Sequence, residues 1–124
     1  RAEARQAYFE AMAAENMFQA EKLRVIGDLR ASWFKLYVLG KQIETALAEQ
    51  SQLESLIKTA NARIATGDAQ PGDVLMATLE SSNLQEQLLS YRQQLAATAA
   101  EINRLAGRDV MTPVPIHGLI ISFG

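Results

Sequence analysis

The side chains that could carry chemistry are few and scattered. His117 is the sole histidine and lies in the C-terminal tail, away from any carboxylate pair at ligand spacing. There is no cysteine, which removes disulfides and thiolate metal sites and leaves the redox compartment open. Met12, Met17, Met76 and Met111 are thioethers of the kind that bind Cu(I), but they share no helical face and read as flexible gap-fillers. Glu44, Glu49, Glu54 and Glu80 lack the Glu-x-x-His spacing of a di-iron bundle and read as solvated helix faces. No nucleophile, base and acid can be assembled into one set, and no Gly-rich phosphate loop precedes a helix. The expectation is of a protein that is not an enzyme and that uses neither metal nor cofactor. Trp33, Phe34 and Tyr37 could line a ligand pocket, but on a heptad helix they read as packing.

Chemistry of this sparse kind shifts attention to the elements themselves. The chain has 124 residues and a formal net charge of −2 from interspersed acids and bases, which argues against a nucleic-acid surface. Alanine, glutamine, leucine and glutamate dominate and aromatics make up only 6%, a balance that suits long helices with closely approaching backbones. The richest apolar run, Trp33 to Gly40, is too short to span a bilayer and contains Lys35. The sequence opens at Arg1 with neither an initiator methionine nor an apolar leader, so it reads as an excised piece or a processed product.

From Arg1 to about Thr66 there is no proline, and Gly27 and Gly40 cost roughly 1 kcal/mol each without stopping a helix. One helix over about 1–66 is predicted. Its apolar positions follow a heptad: Tyr8, Ala11, Phe18, Val25, Leu29, Leu36, Leu39, Ile43, Ala46, Leu53, Ile57, Ala60 and Ile64, with polar gaps at Glu15, Lys22, Ser32 and Gln50. A second stripe through Met12, Ile26, Trp33 and Leu47 widens the apolar face beyond what one partner covers. A second helix over about 73–106 carries a cleaner heptad: Val74, Ala77, Ser81, Leu84, Leu88, Tyr91, Leu95, Thr98, Ile102 and Leu105. Gly107 caps it, and Arg104 and Arg108 place positive charge at the negative end of its dipole.

Between the helices, Arg63 to Leu75 reads as the tip of a hairpin. Gly67 can take the left-handed conformation that ends a helix, Pro71 cannot continue one, and Asp73 can accept from the free N–H groups that open the next. The fold class is therefore all-α: a long antiparallel two-helix coiled-coil hairpin over 1–107, with an extended connector over 108–124. Folding back at the tip brings Ile64 near Val74, Ile57 near Ser81, Leu53 near Leu84, Ala46 near Tyr91, Ile43 near Leu95 and Leu36 near Ile102. The second helix then ends opposite about Ser32, so that Tyr8, Phe18, Val25 and Ile26 require cover from outside the hairpin, or from a second copy when the chain is alone. In the tail, Thr112 to Pro115 cannot be helical and Gly118 to Gly124 reads as an extended or strand segment.

Laid out this way, residues from about Leu29 to Pro115 resemble the TolC-like outer-membrane efflux protein family. Three features carry the resemblance. They are Arg63, Gly67 and Asp73-Val74-Leu75 at the turn, the alanine- and glutamine-rich helix after it, and Asn103-Arg-Leu-Ala-Gly107-Arg108 followed by prolines. The resemblance implies a trimeric channel-tunnel in the Gram-negative outer membrane, of which this chain would be one periplasmic hairpin without the membrane strands. It also implies partners: further copies in the trimer, a periplasmic adaptor protein and an inner-membrane pump. By the same resemblance Arg63, Gly67, Asp73, Val74 and Leu75 form the adaptor-docking tip, although the local residues Asp68 to Gly72 are polar where family members often carry apolar ones. Caps explain Gly67 and Asp73 equally well on local grounds. Two other readings stand beside this one: a soluble coiled-coil scaffold or signalling hairpin, and the hairpin of the adaptor itself.

Overall fold

The computed structural model describes residues 1–116 and 119–121. It is an all-helical hairpin with a short tail: α1 (Ala2–Ala65), α2 (Pro71–Leu105), and two three-residue strands, β1 (Val114–Ile116) and β2 (Leu119–Ile121). At about 1.5 Å per residue, the 64 residues of α1 make a rod of roughly 96 Å, against roughly 52 Å for the 35 residues of α2. The rods differ in length because only α1 is free of strong breakers over so long a run.

The heptad seam is where the two helices meet. Leu36, Leu39 and Ala46 of α1 are buried, as are Ala77, Leu84, Leu88, Thr98 and Ile102 of α2. Two clusters form along the seam. Leu36, Ala99, Ile102 and Val114 form one, with Leu29 and Leu95 against it. Ala46, Leu84 and Leu88 form the other, flanked by Ile43 and Leu53. The expected neighbours Leu36 and Ile102 share a cluster, as do Leu53 and Leu84, whereas Ile43 and Leu95 lie in different ones. Fully buried Leu or Ile side chains contribute roughly 1.5–3 kcal/mol each, so a seam this thin depends on a handful of residues.

The tail does more than connect. α2 ends in the left-handed turn expected at Gly107, whose φ is +70°. Gly107 N–H donates to the Arg104 carbonyl at 3.1 Å and Arg108 N–H to the Asn103 carbonyl at 2.8 Å, which satisfies two terminal acceptors of the helix. The chain then turns through Asp109–Thr112 and comes back along α2, so that Val114 is fully buried with Leu36 and Ile102. Asn103 holds this return: it is fully buried, and its Nδ2 donates to the carbonyls of Val110 at 3.0 Å and Thr112 at 2.8 Å. Arg108, expected at the dipole, instead donates from its guanidinium to the Pro113 carbonyl at 3.0 Å. Beyond Val114 the strands pair antiparallel, Val114 with Ile121 and Ile116 with Leu119. This agrees with an extended tail. His117 and Gly118, and Ser122 to Gly124, lie outside the described residues.

Two expectations are corrected. α2 begins at Pro71 rather than at Asp73, because proline's fixed φ and missing N–H suit the first helical position. Trp33 and Phe34 do not pack within the hairpin: they remain 40% and 69% exposed, off the seam that α2 covers, whereas Tyr37, 38% exposed, lines a cleft between the helices with Gln87 and Tyr91 of α2. Asn103→Ala is expected to lower the unfolding free energy by about 1–3 kcal/mol, because two carbonyls lose their donor. Chemical denaturation measures the loss, and amide exchange should show residues 110–114 opening before the seam does.

Candidate functional site

The hairpin tip is the candidate site, and its shape comes from how α1 stops. Thr66 closes the helix and Gly67 follows at φ +81°. Gly67 N–H donates to the Ile64 carbonyl at 3.0 Å and Asp68 N–H to the Arg63 carbonyl at 2.8 Å, the paired bonds of a left-handed helix stop. The Thr66 hydroxyl stands 3.0 Å from both the Arg63 carbonyl and Asp68 Oδ2, and its one proton can serve either acceptor. Arg63 thus anchors the turn through its backbone, while its exposed guanidinium lies in the last turn, where positive charge complements the helix dipole.

The opening of α2 differs from the sequence expectation. Gln70, in extended conformation at φ −99° and ψ 144°, occupies the N-cap, and its side chain makes no capping bond. Asp73 is therefore not the cap. It lies in the first helical turn, donating its own N–H to the Gln70 carbonyl at 3.0 Å, with its exposed carboxylate favourably placed near the positive end of the dipole.

Of the five predicted tip residues, Arg63, Gly67, Asp73 and Leu75 are exposed, whereas Val74 is half-buried at a seam position. The turn gathers Arg63 and Gly67 into one bonded unit, and Asp73 to Leu75 follow on the first turn of α2. The structure adds what the polar tip sequence conceals: Leu75, Met76 and Leu79 are all more than half exposed. The spacing of Leu75 and Leu79, one helical turn apart and off the seam, is the signal that points to them. The tip is thus a polar turn beside an apolar shoulder, able to make contact through shape and surface burial.

Electrostatics concentrate at the other end of the hairpin. The Arg24 guanidinium hydrogen-bonds Glu21 and holds that carboxyl below its ordinary range; Arg24 also pairs with Asp28 at 2.9 Å. Arg104 does the same for Glu101. Arg104 also feels both Arg24 and Asp28, which places the end of α2 beside that part of α1. All these groups are exposed, so they orient the helix ends more than they stabilise them.

Among the described residues, no group of three or more His, Asp or Glu is placed to hold a metal ion, and no helix is long and apolar enough to cross a membrane. The chain has no match among protein-family models, curated proteins or solved structures.

The tip turn can be tested directly. A Cβ at Gly67 meets nothing within 4 Å, so Gly67→Ala should cost only the left-handed backbone penalty, about 1–2 kcal/mol. Gly72 has equal space and no positive φ, so Gly72→Ala should be neutral or stabilising by up to about 1 kcal/mol. Urea denaturation of the two variants checks the contrast.

Proposed function

We propose that this chain is one periplasmic helical hairpin of a trimeric, TolC-like outer-membrane efflux channel, forming part of the wall of an export tunnel. One observation carries the reading: α1 keeps a second apolar stripe after α2 has taken the first. Met12, Ile26, Trp33 and Leu47 are 45%, 37%, 40% and 43% exposed, although each recurs at a heptad interval or a multiple of one. Phe9, Leu23 and Tyr37 fall on the same stripe, which polar residues and a glycine interrupt at Asn16, Gln19, Arg30, Gly40 and Glu44. A helix with two seams calls for two neighbours, and a closed ring of helices supplies one on either side. The surface total points the same way. The chain exposes 9151 Å², against roughly 6,600 Å² for a compact monomer of 13.6 kDa.

In this reading the hairpin is a passive element with no catalytic group. Its helices form the conduit wall, the exposed acids Glu44, Glu49, Glu54 and Glu80 face solvent or the lumen, and opening comes from movement of the tips driven by an inner-membrane pump. The tip meets a periplasmic adaptor protein. Leu75, Met76 and Leu79 supply the surface to bury, Asp73 and Arg63 supply charge at the rim, and Gly67 fixes the turn that presents them. Val74 acts from inside, holding the first turn of α2 to α1.

A photo-crosslinking amino acid at Leu75 of the intact protein in its own cells tests the proposal. The expected result is an adduct with a periplasmic adaptor and recovery of the protein in the outer-membrane fraction. Recovery in the cytosol with no such adduct would replace the channel by a coiled-coil scaffold.

A further inference from the structure

Residues 1–24 are exposed at every position, yet the seam that α2 covers farther along α1 continues through them. Its members are Tyr8, Ala11, Glu15, Phe18 and Lys22, followed by the half-buried Val25 and by Leu29, which already packs against the hairpin's own cluster, and together they read almost as a palindrome about Phe18. Set a second copy of this helix against the first, antiparallel and centred on Phe18. Tyr8 then faces Leu29, Ala11 faces Val25, Glu15 faces Lys22, and Phe18 faces itself on the two-fold axis. Large meets large or small in every layer, and the two polar gaps become two ion pairs. We propose that this segment of α1 is a self-association surface whose occupant is the same segment of a second copy, in this antiparallel, two-fold register.

Four features of the molecule support that occupant. The surface continues an interface already built in the fold, where α1 and α2 pair antiparallel through the same heptad positions. The charges are complementary: Glu15 and Lys22 are opposite in sign, and Lys22 makes no ion pair among the described residues. A parallel pair in register would instead set Glu15 on Glu15 and Lys22 on Lys22.

The flanks also fit. Beside the seam the antiparallel register sets Met12 against Ile26 and Gln19 against Gln19 on one side. On the other it sets Ala14 against Glu21 and Ala7 against Asp28. No like charges face each other there, and Glu21 and Asp28 already pair with Arg24 of their own helix.

The area is sufficient as well. Tyr8 and Phe18 are each 62% exposed, and covering each removes on the order of 100–150 Å². Four such rings supply about a third to a half of the ~1,200 Å² at which stable interfaces begin, before Ala11, Val25, Met12 and Ile26 are added. This inference does not rest on the channel reading, in which other wall helices would occupy the same seam.

Sedimentation equilibrium of the 124-residue chain and three exposed-site variants tests it. The chain itself should be a dimer at micromolar concentration. Glu15→Lys and Lys22→Glu each set two like-charge contacts across the axis and should each weaken the dimer by about tenfold or more. The double exchange, E15K with K22E, should restore it to within about threefold of the parent, by re-forming both pairs. Circular dichroism confirms that each variant keeps its helix. A monomer at all concentrations overturns the proposal. So does a dimer that neither single reversal weakens, since another face or a parallel register then holds it, and so does a double exchange that fails to recover.

Discussion

One constraint governs this molecule: two helices share a single seam, and one of them is nearly twice as long as the other. A helix pair can bury only the stripe along which its members touch, and that stripe lasts only as long as α2 does. The buried residues accordingly lie between Leu36 and Ala46 on one helix and Ala77 and Asn103 on the other. Outside that window the same heptad continues with less cover. Toward the tip Ile57, Ala60, Ile64, Val74 and Ser81 are only half-buried, so the hairpin is expected to open from the tip more easily than from the middle. Toward the N-terminus Leu29 and Val25 are still half-buried, and the seam is bare over residues 1–24. Stability is thus highest at the end where the tail folds back.

That end explains why Asn103 matters more than its place in the heptad suggests. It sits off the seam, one position beyond Ile102, where a polar residue on a helix normally meets water. Here the returning tail covers it, and a buried amide must find partners. Nδ2 finds two, the Val110 and Thr112 carbonyls, while Oδ1 has none among the described residues. Two donated bonds and the buried side chain of Val114 lock the tail to α2 and complete the apolar cluster around Leu36. A polar fastener of this kind fixes one position of the tail where an apolar contact would tolerate several.

Much of the fold was legible in the sequence because period and punctuation agree. The heptads give the seam, the absence of proline before Pro71 gives the length of α1, and Gly67 and Gly107 both take the left-handed turns their positions require. That Leu36 shares a cluster with Ile102, and Leu53 with Leu84, follows once the turn is fixed, whereas Ile43 and Leu95, matched by the same register, lie in different clusters. What could not be read depends on contacts distant in sequence or on close competition between caps. Nothing local says that Val114 returns to Leu36, so the tail reads as a connector. Asp73 is a better cap than Gln70 by residue type, but Pro71 prefers the first helical position and shifts the start upstream. Trp33 and Phe34 read as packing because they stand on a heptad helix, but both lie beside the seam and stay exposed, whereas Tyr37 lines the cleft between the helices with Gln87 and Tyr91. At the candidate site, Gly67 was legible from its turn, whereas the apolar shoulder of Leu75, Met76 and Leu79 was hidden behind a polar loop.

The polar gaps in the α1 seam separate its two halves in kind. Within the hairpin, Gln50 interrupts a covered stretch and is neutral, half-buried and tolerable beside its neighbours. In the uncovered stretch the interruptions are Glu15 and Lys22, charges that no helix would bury unpaired, because desolvating an isolated ion costs several kcal/mol. Solvent alone could account for them, were the positions between them also polar. They are not: Phe18 and Val25 continue the apolar repeat on either side of Lys22, and Tyr8 and Ala11 precede Glu15. An apolar seam broken by opposite charges seven residues apart keeps its hydrophobic attraction while rejecting any partner that fails to match those charges. Opposite signs at equivalent heptad positions make an in-register parallel copy a poor match and an antiparallel copy a good one. The same charges that weaken the seam as a core therefore select what may cover it.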